Sequence, residues 1–522
     1  MPAATRRRRL AGLLLVPVLL LTACTPQPGP APSPPPATPT ATPTATQGRP
    51  VQPVPEVRPD GFADPPVGTG LQRYQQQRVS WRPCSEKLEC AEVLAPLDYD
   101  QPDGTAVTLA LARRPATGPR RLGSLFINPG GPGGPGRNYV GYFDADGLES
   151  YDVVGWDPRG VAGSTPVRCF GSADLDRFLA VDVSPDDAAE ERALVAETYA
   201  FGQSCLARSG PLLEHISTTD TVRDLDLLRG LVGDQRLNYF GASYGTKIGA
   251  LYAQLYPDKV GRLVLDGAVN ISGQEVSQLE GFERALGNFA TWAARDTELG
   301  RPLGASREEV LGRIRTLLAG LDAQPLRVGE RALSQQQGVQ GVLDPLYGRD
   351  EWPGLLRALA AAARSDGREL LALADAGNFR TDDGRYGQIN YAFPAIRCLD
   401  SRATSVAAAE RAARRLEKRA PVLGPLSGPD LVCPLWPVRP APKEPRITAR
   451  GAAPILVLGT TGDPATPYEN AVGMARQLES GVLVTLQGEG HTAYGQSACV
   501  QQAVRAYLTE DRVPRDGTRC LA

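Results

Sequence analysis

The stretch Leu237-Asn238-Tyr239-Phe240-Gly241-Ala242-Ser243-Tyr244-Gly245 constrains this chain more than any other. A short apolar run ends in Gly-x-Ser-x-Gly. A helical pattern follows, with Ile248, Leu251, Tyr252 and Leu255 on one face until Pro257 stops it. Strand, sharp turn and helix in that order place a serine hydroxyl above the end of a sheet. Gly241 and Gly245 leave room for the strained turn, where neighbouring Cβ atoms would clash. Ser243 is therefore expected to be a nucleophile.

A serine hydroxyl needs a base within hydrogen-bond reach, and the 522 residues include two histidines, His215 and His491. His491 follows an apolar run in Gly488-Glu489-Gly490-His491-Thr492, a loop at the carboxyl end of an expected strand. His215 precedes Ser243 and stands before a helix. The chain order serine, acid, histidine favours His491 as the base. The acid that orients it is expected at Asp463, in Gly462-Asp463-Pro464-Ala465-Thr466-Pro467 after the run 455–458, with Asp266 as its rival after the run 263–265. Thr466, Pro467 and Glu469 have the spacing of an N-cap, a first-turn proline and a capping-box partner, so Thr466 is expected to shape the acid loop. Acyl transfer also needs donors for a developing oxyanion. The N–H of Tyr244 is one. The other is expected from the loop Asn128-Pro129-Gly130-Gly131-Pro132-Gly133-Gly134-Pro135-Gly136, at Gly131, with Gly130 or Gly133 as alternatives.

Around these residues, strands are expected at 79–81, 91–97, 107–112, 122–127, 153–156, 237–240, 263–265, 455–458 and 482–486. Helical patterns such as 221–231 lie between several of them. This alternation predicts an α/β fold with a mostly parallel sheet covered by helices on both faces, its site at the carboxyl strand ends. Residues 272–448 break the alternation. The spans 274–295, 352–364 and 405–419 read as helices, and Ser306-Arg307-Glu308-Glu309 has capping-box spacing before another. A helical cap insertion is expected there. The hydrolytic core would then comprise 65–271 and 449–522, closing on a helix at 498–508.

The N-terminus reads as an export signal. Arg6 to Arg9 precede an apolar stretch, 10–21, too short to span a bilayer, and Leu21-Thr22-Ala23-Cys24 has the form of a lipobox. Cys24 is the expected lipidation site, and an ordinary secretory signal is the alternative; the arginine run suits either general or twin-arginine export. Loss of residues 1–23 removes four arginines and no acids, taking the net charge from −2 to −6. No basic field for nucleic acid exists. Residues 24–64 are rich in Pro, Thr and Ala and read as an extended tether, open to O-linked sugars on its Thr-Pro repeats. The remaining eight cysteines argue for disulfides in an exported protein. Sequential pairing, Cys84–Cys90, Cys169–Cys205, Cys398–Cys433 and Cys499–Cys520, is the simplest connectivity. Without CxxC and with two histidines, no metal is expected. With no GxGxxG opening a helix and no phosphate loop, no nucleotide cofactor is expected.

Asn-Pro-Gly-Gly-Pro-Gly at 128–133, Trp156-Asp157-Pro158-Arg159-Gly160, Gly-Ala-Ser-Tyr-Gly-Thr at 241–246 and Gly-Asp-Pro-Ala-Thr-Pro at 462–467 together resemble one family. It is the tripeptidyl aminopeptidase-like α/β-hydrolases of actinobacteria, related to proline iminopeptidases; the lipobox form resembles cell-envelope serine hydrolase lipoproteins. The resemblance spans the mature body. It implies an α/β-hydrolase fold, with Ser243, Asp463 and His491 in the triad positions. It also implies hydrolysis of peptides or proteins from the N-terminus, with ester hydrolysis on model substrates. Related iminopeptidases carry histidine where Asn128-Pro129 begins the glycine loop, so their oxyanion details do not transfer directly. An aminopeptidase must offer carboxylates to the substrate's ammonium group; Asp157, Asp266, Glu275, Glu280 and Glu283 are the candidates. A carboxylester or lipid hydrolase of the envelope shares the same chemistry and differs in its pocket. A non-catalytic envelope binding protein on a decayed hydrolase fold is the reading outside enzymes.

Overall fold

The computed structural model describes residues 61–271, 276–296, 302–401 and 404–522. Cys24, the tether to residue 60 and Glu275 lie outside the described residues.

Eleven strands form one sheet. Seven run parallel, in the spatial order Thr518–Leu521, Gly481–Glu489, Ile455–Gly462, Val260–Asp266, Leu237–Ala242, Gly123–Asn128 and Tyr151–Trp156. Beyond Tyr151–Trp156 the sheet continues antiparallel through Ala106–Arg114, Glu89–Pro96 and Arg82–Pro83. The central strands are apolar almost throughout because both of their faces are buried. Phe126, Val154, Tyr239, Leu265 and Val457 pack on one face against Val222, Leu225, Leu228, Ile248 and Leu251 of two helices. Their alternating neighbours Leu125, Ile127, Val153, Phe240, Val264 and Leu456 pack on the other against Val140, Phe143, Val500, Val504 and Tyr507. Helices thus cover both faces, as the α/β alternation predicts.

Two details at the N-terminal edge differ from expectation. The run 79–81 is not a strand. Pairing starts one residue later, at Arg82 opposite Cys90, beside the Cys84–Cys90 disulfide, while Trp81 lies under the Arg113 guanidinium at 4.4 Å. Phe62 and Ala63, placed in the tether by composition, instead pair with Val107 and Ala106. The other three disulfides, Cys169–Cys205, Cys398–Cys433 and Cys499–Cys520, also join sequential cysteines.

Between Val260–Asp266 and Ile455–Gly462, which are adjacent in the sheet, the described chain forms seven α-helices, three short 3₁₀ turns and one short hairpin. Helices Gln278–Ala293, Arg307–Ala323, Gln335–Leu343, Trp352–Ala362 and Arg368–Gly377 build their own apolar core around Leu286, Phe289, Ile314, Trp352 and Leu355. Ser306 caps its helix through Glu309 N, but the Glu309 carboxylate takes Ala305 N, so half of the expected capping box forms. The next helix, Ile389–Asp400, packs differently. Its Ala392, Ala395, Ile396 and Leu399 enter the core under the main sheet. Among the described residues, no helix is long and apolar enough to cross a membrane.

Candidate active site

The sheet brings five strand ends together. Asn128 pairs with Gly241, Ala242 with Asp266, and Gly462 with Glu489. Gly130, Ser243, Asp463 and His491 follow four of these ends, so all four expected loops open on one side of the sheet.

Ser243 adopts φ +55°, a left-handed conformation that costs a non-glycine residue. The turn is held by Ser243 N donating to the Asp266 carbonyl at 2.8 Å and Thr246 Oγ1 donating to the Ser243 carbonyl at 2.6 Å. It closes so tightly that a Cβ on Gly241 would lie 2.4 Å from the Gly245 carbonyl oxygen, and one on Gly245 would lie 2.9 Å from Asn128 Oδ1. This close approach is what the Gly-x-Ser-x-Gly spacing serves.

Asp463 and His491 meet. Nδ1 of His491 is 3.0 Å from each carboxylate oxygen of Asp463. The same carboxylate accepts from Ala465 N, Thr466 N, Thr466 Oγ1 and Thr492 N at 2.8–3.1 Å. Three backbone N–H groups already donate to this carboxylate and leave it the acceptor toward the imidazole, so the histidine proton resides on Nδ1 and Nε2 keeps its lone pair. Burial of His491 disfavours its charged form; the charge and hydrogen bond of Asp463, with a further contribution from Asp266, outweigh that and raise its pKa above 6.5. Thr466 is not the N-cap expected from the sequence. Pro467 occupies that position, and the Thr466 hydroxyl instead donates to Asp463 Oδ2 at 2.9 Å. Glu469 pairs with Arg284 of the Gln278–Ala293 helix.

Asp266 has a different task. Its buried carboxylate accepts from Ala493 N and Tyr494 N, at 2.8 and 2.9 Å, and so anchors the loop beyond His491. Burial pushes its pKa up to about 6. His215 lies elsewhere, with its carbonyl accepting from Arg159.

The glycine loop lies directly against the serine turn. A Cβ on Gly130 would be 2.8 Å from Ser243 Cβ and 2.9 Å from Tyr244 N. Gly130 N–H is occupied, donating to Asn128 Oδ1 at 2.9 Å. The N–H groups of Gly131, Gly133 and Tyr244 have no partner among the described residues. Unpartnered donors beside a serine hydroxyl suit a developing oxyanion.

The insertion reaches this site from two directions. Tyr347 accepts a hydrogen bond from His491 N at 2.8 Å and sets its ring edge-on to the imidazole, with centroids 5.4 Å apart. On the other side, a Cβ on Gly133 would lie 2.9 Å from Ala392 Cβ of the Ile389–Asp400 helix. The carboxylates considered for a substrate ammonium are already engaged. Asp157 accepts Arg137 N and Gly163 N, Glu280 completes a helix cap and pairs with Arg419, and Glu283 accepts Val422 N and Leu423 N. The carboxylate of Asp344, three residues before Tyr347, has no hydrogen-bond or cation partner among the described residues; burial and the nearby Glu351 raise its pKa to about 6. No sequence motif marks Tyr347, because its proximity to the site comes from how the insertion folds back.

A model of the alpha/beta hydrolase fold matches residues 123–317, and one described as TAP-like protein matches 420–520. The chain is 36% identical over 483 residues to "Serine protease Hip1" of Mycobacterium tuberculosis, covering 85% of this chain and 91% of that protein. It is 30% identical over 480 residues to "Tripeptidyl aminopeptidase" of Streptomyces lividans, covering 86% and 87%. The chain belongs to the tripeptidyl aminopeptidase-like α/β-hydrolases. A third relative in this set, "Carboxylesterase B" of Mycobacterium tuberculosis, is 36% identical over 474 residues, covering 84% and 89%. Membership in this hydrolase family agrees with the strand–turn–helix at Ser243, the carboxyl-end loops and the helical insertion.

Proposed function

We propose that this TAP-like hydrolase is a serine peptidase that releases short peptides from free N-termini through an acyl-enzyme on Ser243. The observation that carries the reading is the Asp463–His491 pair, whose proton is held on Nδ1, at the same strand ends as a strained serine turn whose backbone donors are unpartnered among the described residues. In this mechanism Ser243 Oγ attacks the scissile carbonyl while His491 Nε2 takes its proton. The charge that forms on the carbonyl oxygen is received by the N–H groups of Tyr244 and Gly131, since Gly130 N–H is occupied. The tetrahedral adduct collapses, the C–N bond breaks, and the amine leaves with the proton from His491. Water, deprotonated by His491, then cleaves the ester and restores Ser243. Asp463 stabilises the imidazolium at each step. Thr466 holds the Asp463 carboxylate in place.

The lipobox at Cys24 and four disulfides in the body support export and lipid anchoring at the cell envelope, outside the reducing cytoplasm. The similarity to a protein named carboxylesterase favours a second reading, in which the acyl group is that of an ester. Two measurements test the proposal. A fluorophosphonate probe should label Ser243, and Ser243→Ala should abolish labelling; absence of label returns the protein to a binding role. A tripeptide amide with a free amine should be cleaved far faster than its N-acetylated form. Equal turnover, with faster cleavage of simple esters, would select the esterase.

A further inference from the structure

The sequence places Lys247 four residues after Ser243 without assigning it a task. Lys247 is one of five lysines in a chain that otherwise uses arginine. It is largely buried, with its side chain 18% exposed, and its Nζ lies 2.8 Å from Asp400 Oδ2 and 2.9 Å from Glu444 Oε1. Asp400 is the last residue of the Ile389–Asp400 helix, and its side chain is 9% exposed. Its carboxylate also accepts Thr218 N at 2.9 Å and the Thr218 hydroxyl. Thr218 Oγ1 is in turn 2.5 Å from the phenol oxygen of Tyr244.

The direction of this chain follows from its end. A carboxylate held by a lysine only accepts, so the single Thr218 hydroxyl proton goes to Asp400. The Tyr244 phenol must then donate to Thr218. Tyr244 is thereby fixed at two points: its backbone at the serine turn and its ring tip, through Thr218, on Asp400. The first turn of the following helix is fixed to the same carboxylate through Lys247. A buried side chain with two rotatable bonds and both ends held leaves its own peptide group little freedom.

The helix that carries Asp400 is itself fixed. The Cys398–Cys433 disulfide joins it two residues earlier, and the Leu399 carbonyl accepts Ala441 N at 2.7 Å. Its opposite end packs on Gly133 of the glycine loop. One helix of the insertion therefore touches the glycine loop directly and Tyr244 through Thr218, the two segments beside Ser243 whose N–H groups are unpartnered among the described residues.

We propose that Asp400 is a positioning residue for acyl transfer: through Thr218 and Lys247 it sets the orientation of the Tyr244 backbone N–H, making the Ile389–Asp400 helix a strut of the oxyanion site. This rests on the reading of Ser243 as nucleophile and Tyr244 N–H as oxyanion donor. The role goes beyond fold support because the effect is confined to the state in which negative charge develops.

The test uses the full-length protein with Asp400→Asn, which keeps size, and Tyr244→Phe, which removes only the phenol oxygen. For each, kcat and KM are measured on a free-amine tripeptide p-nitroanilide. Inhibition constants are measured for the matching peptidyl trifluoromethyl ketone, which becomes an oxyanion on binding, and for the tripeptide product, which does not. The expected result is a fall in kcat of about 10-fold or more, a matching loss of ketone affinity, and KM and product affinity within about twofold of wild type. Asp400→Glu should recover part of the loss. Unchanged kcat, or product affinity falling in step with ketone affinity, overturns the proposal, the latter by marking a general loosening. Failure of the wild-type protein to take a fluorophosphonate label at Ser243 overturns the acyl-enzyme reading and this proposal with it, whereas labelling with unchanged variant kinetics overturns this proposal alone.

Discussion

His491 Nδ1 stands 3.0 Å from both carboxylate oxygens of Asp463, whereas Asp266, buried on the neighbouring strand end, spends its carboxylate on Ala493 N and Tyr494 N. The two acids that sequence order leaves as rivals are divided between orienting the imidazole and holding its loop. Their substitutions should separate accordingly. Asp463→Asn should lower kcat by about 10⁴-fold, the scale seen when a triad acid is neutralised, because the amide no longer fixes the proton on Nδ1. Asp266→Asn keeps an acceptor for one of the two N–H groups and should cost far less, of order 10-fold. Comparable losses from both would contradict this division. Steady-state kinetics on one chromogenic peptide decide the matter.

The pH profile should follow His491. The imidazole must be neutral to accept the serine proton, and Asp463 holds its pKa above 6.5 against the effect of burial. Activity, measured as kcat/KM, should therefore rise with pH on a limb whose midpoint lies above 6.5. Replacing Asp463 by Asn removes the largest raising influence and leaves burial, so the midpoint of the residual activity should move to lower pH. A midpoint that stays in place would assign the limb to another group.

Gly130 offers a steric test of the oxyanion loop. Its φ is +92°, and a Cβ there would lie 2.5 Å from the Ala242 carbonyl oxygen and 2.8 Å from Ser243 Cβ. Neither neighbour is a flexible side-chain tip. Gly130→Ala must displace the glycine loop from the serine turn, and displacements near 1 Å at a reacting centre cost about 100-fold in rate. We expect that loss together with a modest fall in melting temperature, since alanine at this positive φ is strained; circular dichroism melts and kinetics on the same sample check both halves.

What the sequence makes legible and what it hides divide along physical lines. Ser243, Asp463, His491 and the glycine loop stand out because each occupies a strand end, where local geometry demands particular residue types at short spacing. The apolar strands are legible because both of their faces are buried. Thr466 misleads as an N-cap because capping spacing is a local rule, and the nearby Asp463 carboxylate is a better partner for its hydroxyl than a backbone N–H. The 79–81 run misleads because Trp81 is apolar yet is covered by Arg113 rather than by a neighbouring strand. Tyr347 and Asp400 leave no trace in the sequence. The Thr218–Asp400 contact joins residues 182 apart, and no periodicity encodes such a separation.

Arg159, in the Trp-Asp-Pro-Arg-Gly motif, is fully buried, and its guanidinium makes five hydrogen bonds: two to Asp224 and the others to the carbonyls of Pro96, Leu97 and His215. Asp224, equally buried, also accepts the Tyr99 phenol at 2.8 Å. Removing one partner leaves the other charge buried and unmatched. Asp224→Ala should therefore destabilise the fold by about 3–5 kcal/mol, measured by denaturant titration at neutral pH. Replacing both residues with apolar side chains of similar size should recover a large part of that loss, because the cost arises from the orphaned charge. If the double variant were no better than the single one, the pair would owe its place to the carbonyls it organises rather than to charge balance.

The free N-terminus required by the aminopeptidase reading makes the last prediction, and Asp344 is its subject. Asp157, Asp266, Glu280 and Glu283 are held by the protein's own donors, but Asp344 has no such donor and stands three residues from Tyr347, whose ring meets His491. Its carboxyl titrates at about 6, raised by burial and by Glu351, so it is largely ionised above that pH and neutral below it. A carboxylate that receives a substrate ammonium should act on binding and not on the chemical step. Asp344→Asn should then raise KM for a free-amine tripeptide amide about 10-fold with kcat nearly unchanged. Turnover of an N-blocked ester should be unaffected. In the wild-type protein, KM for the free-amine substrate should rise as pH falls through 6, because protonation removes the negative charge, and this dependence should be absent from Asp344→Asn. An equal effect on the blocked and free substrates would place Asp344 outside the recognition of the N-terminus.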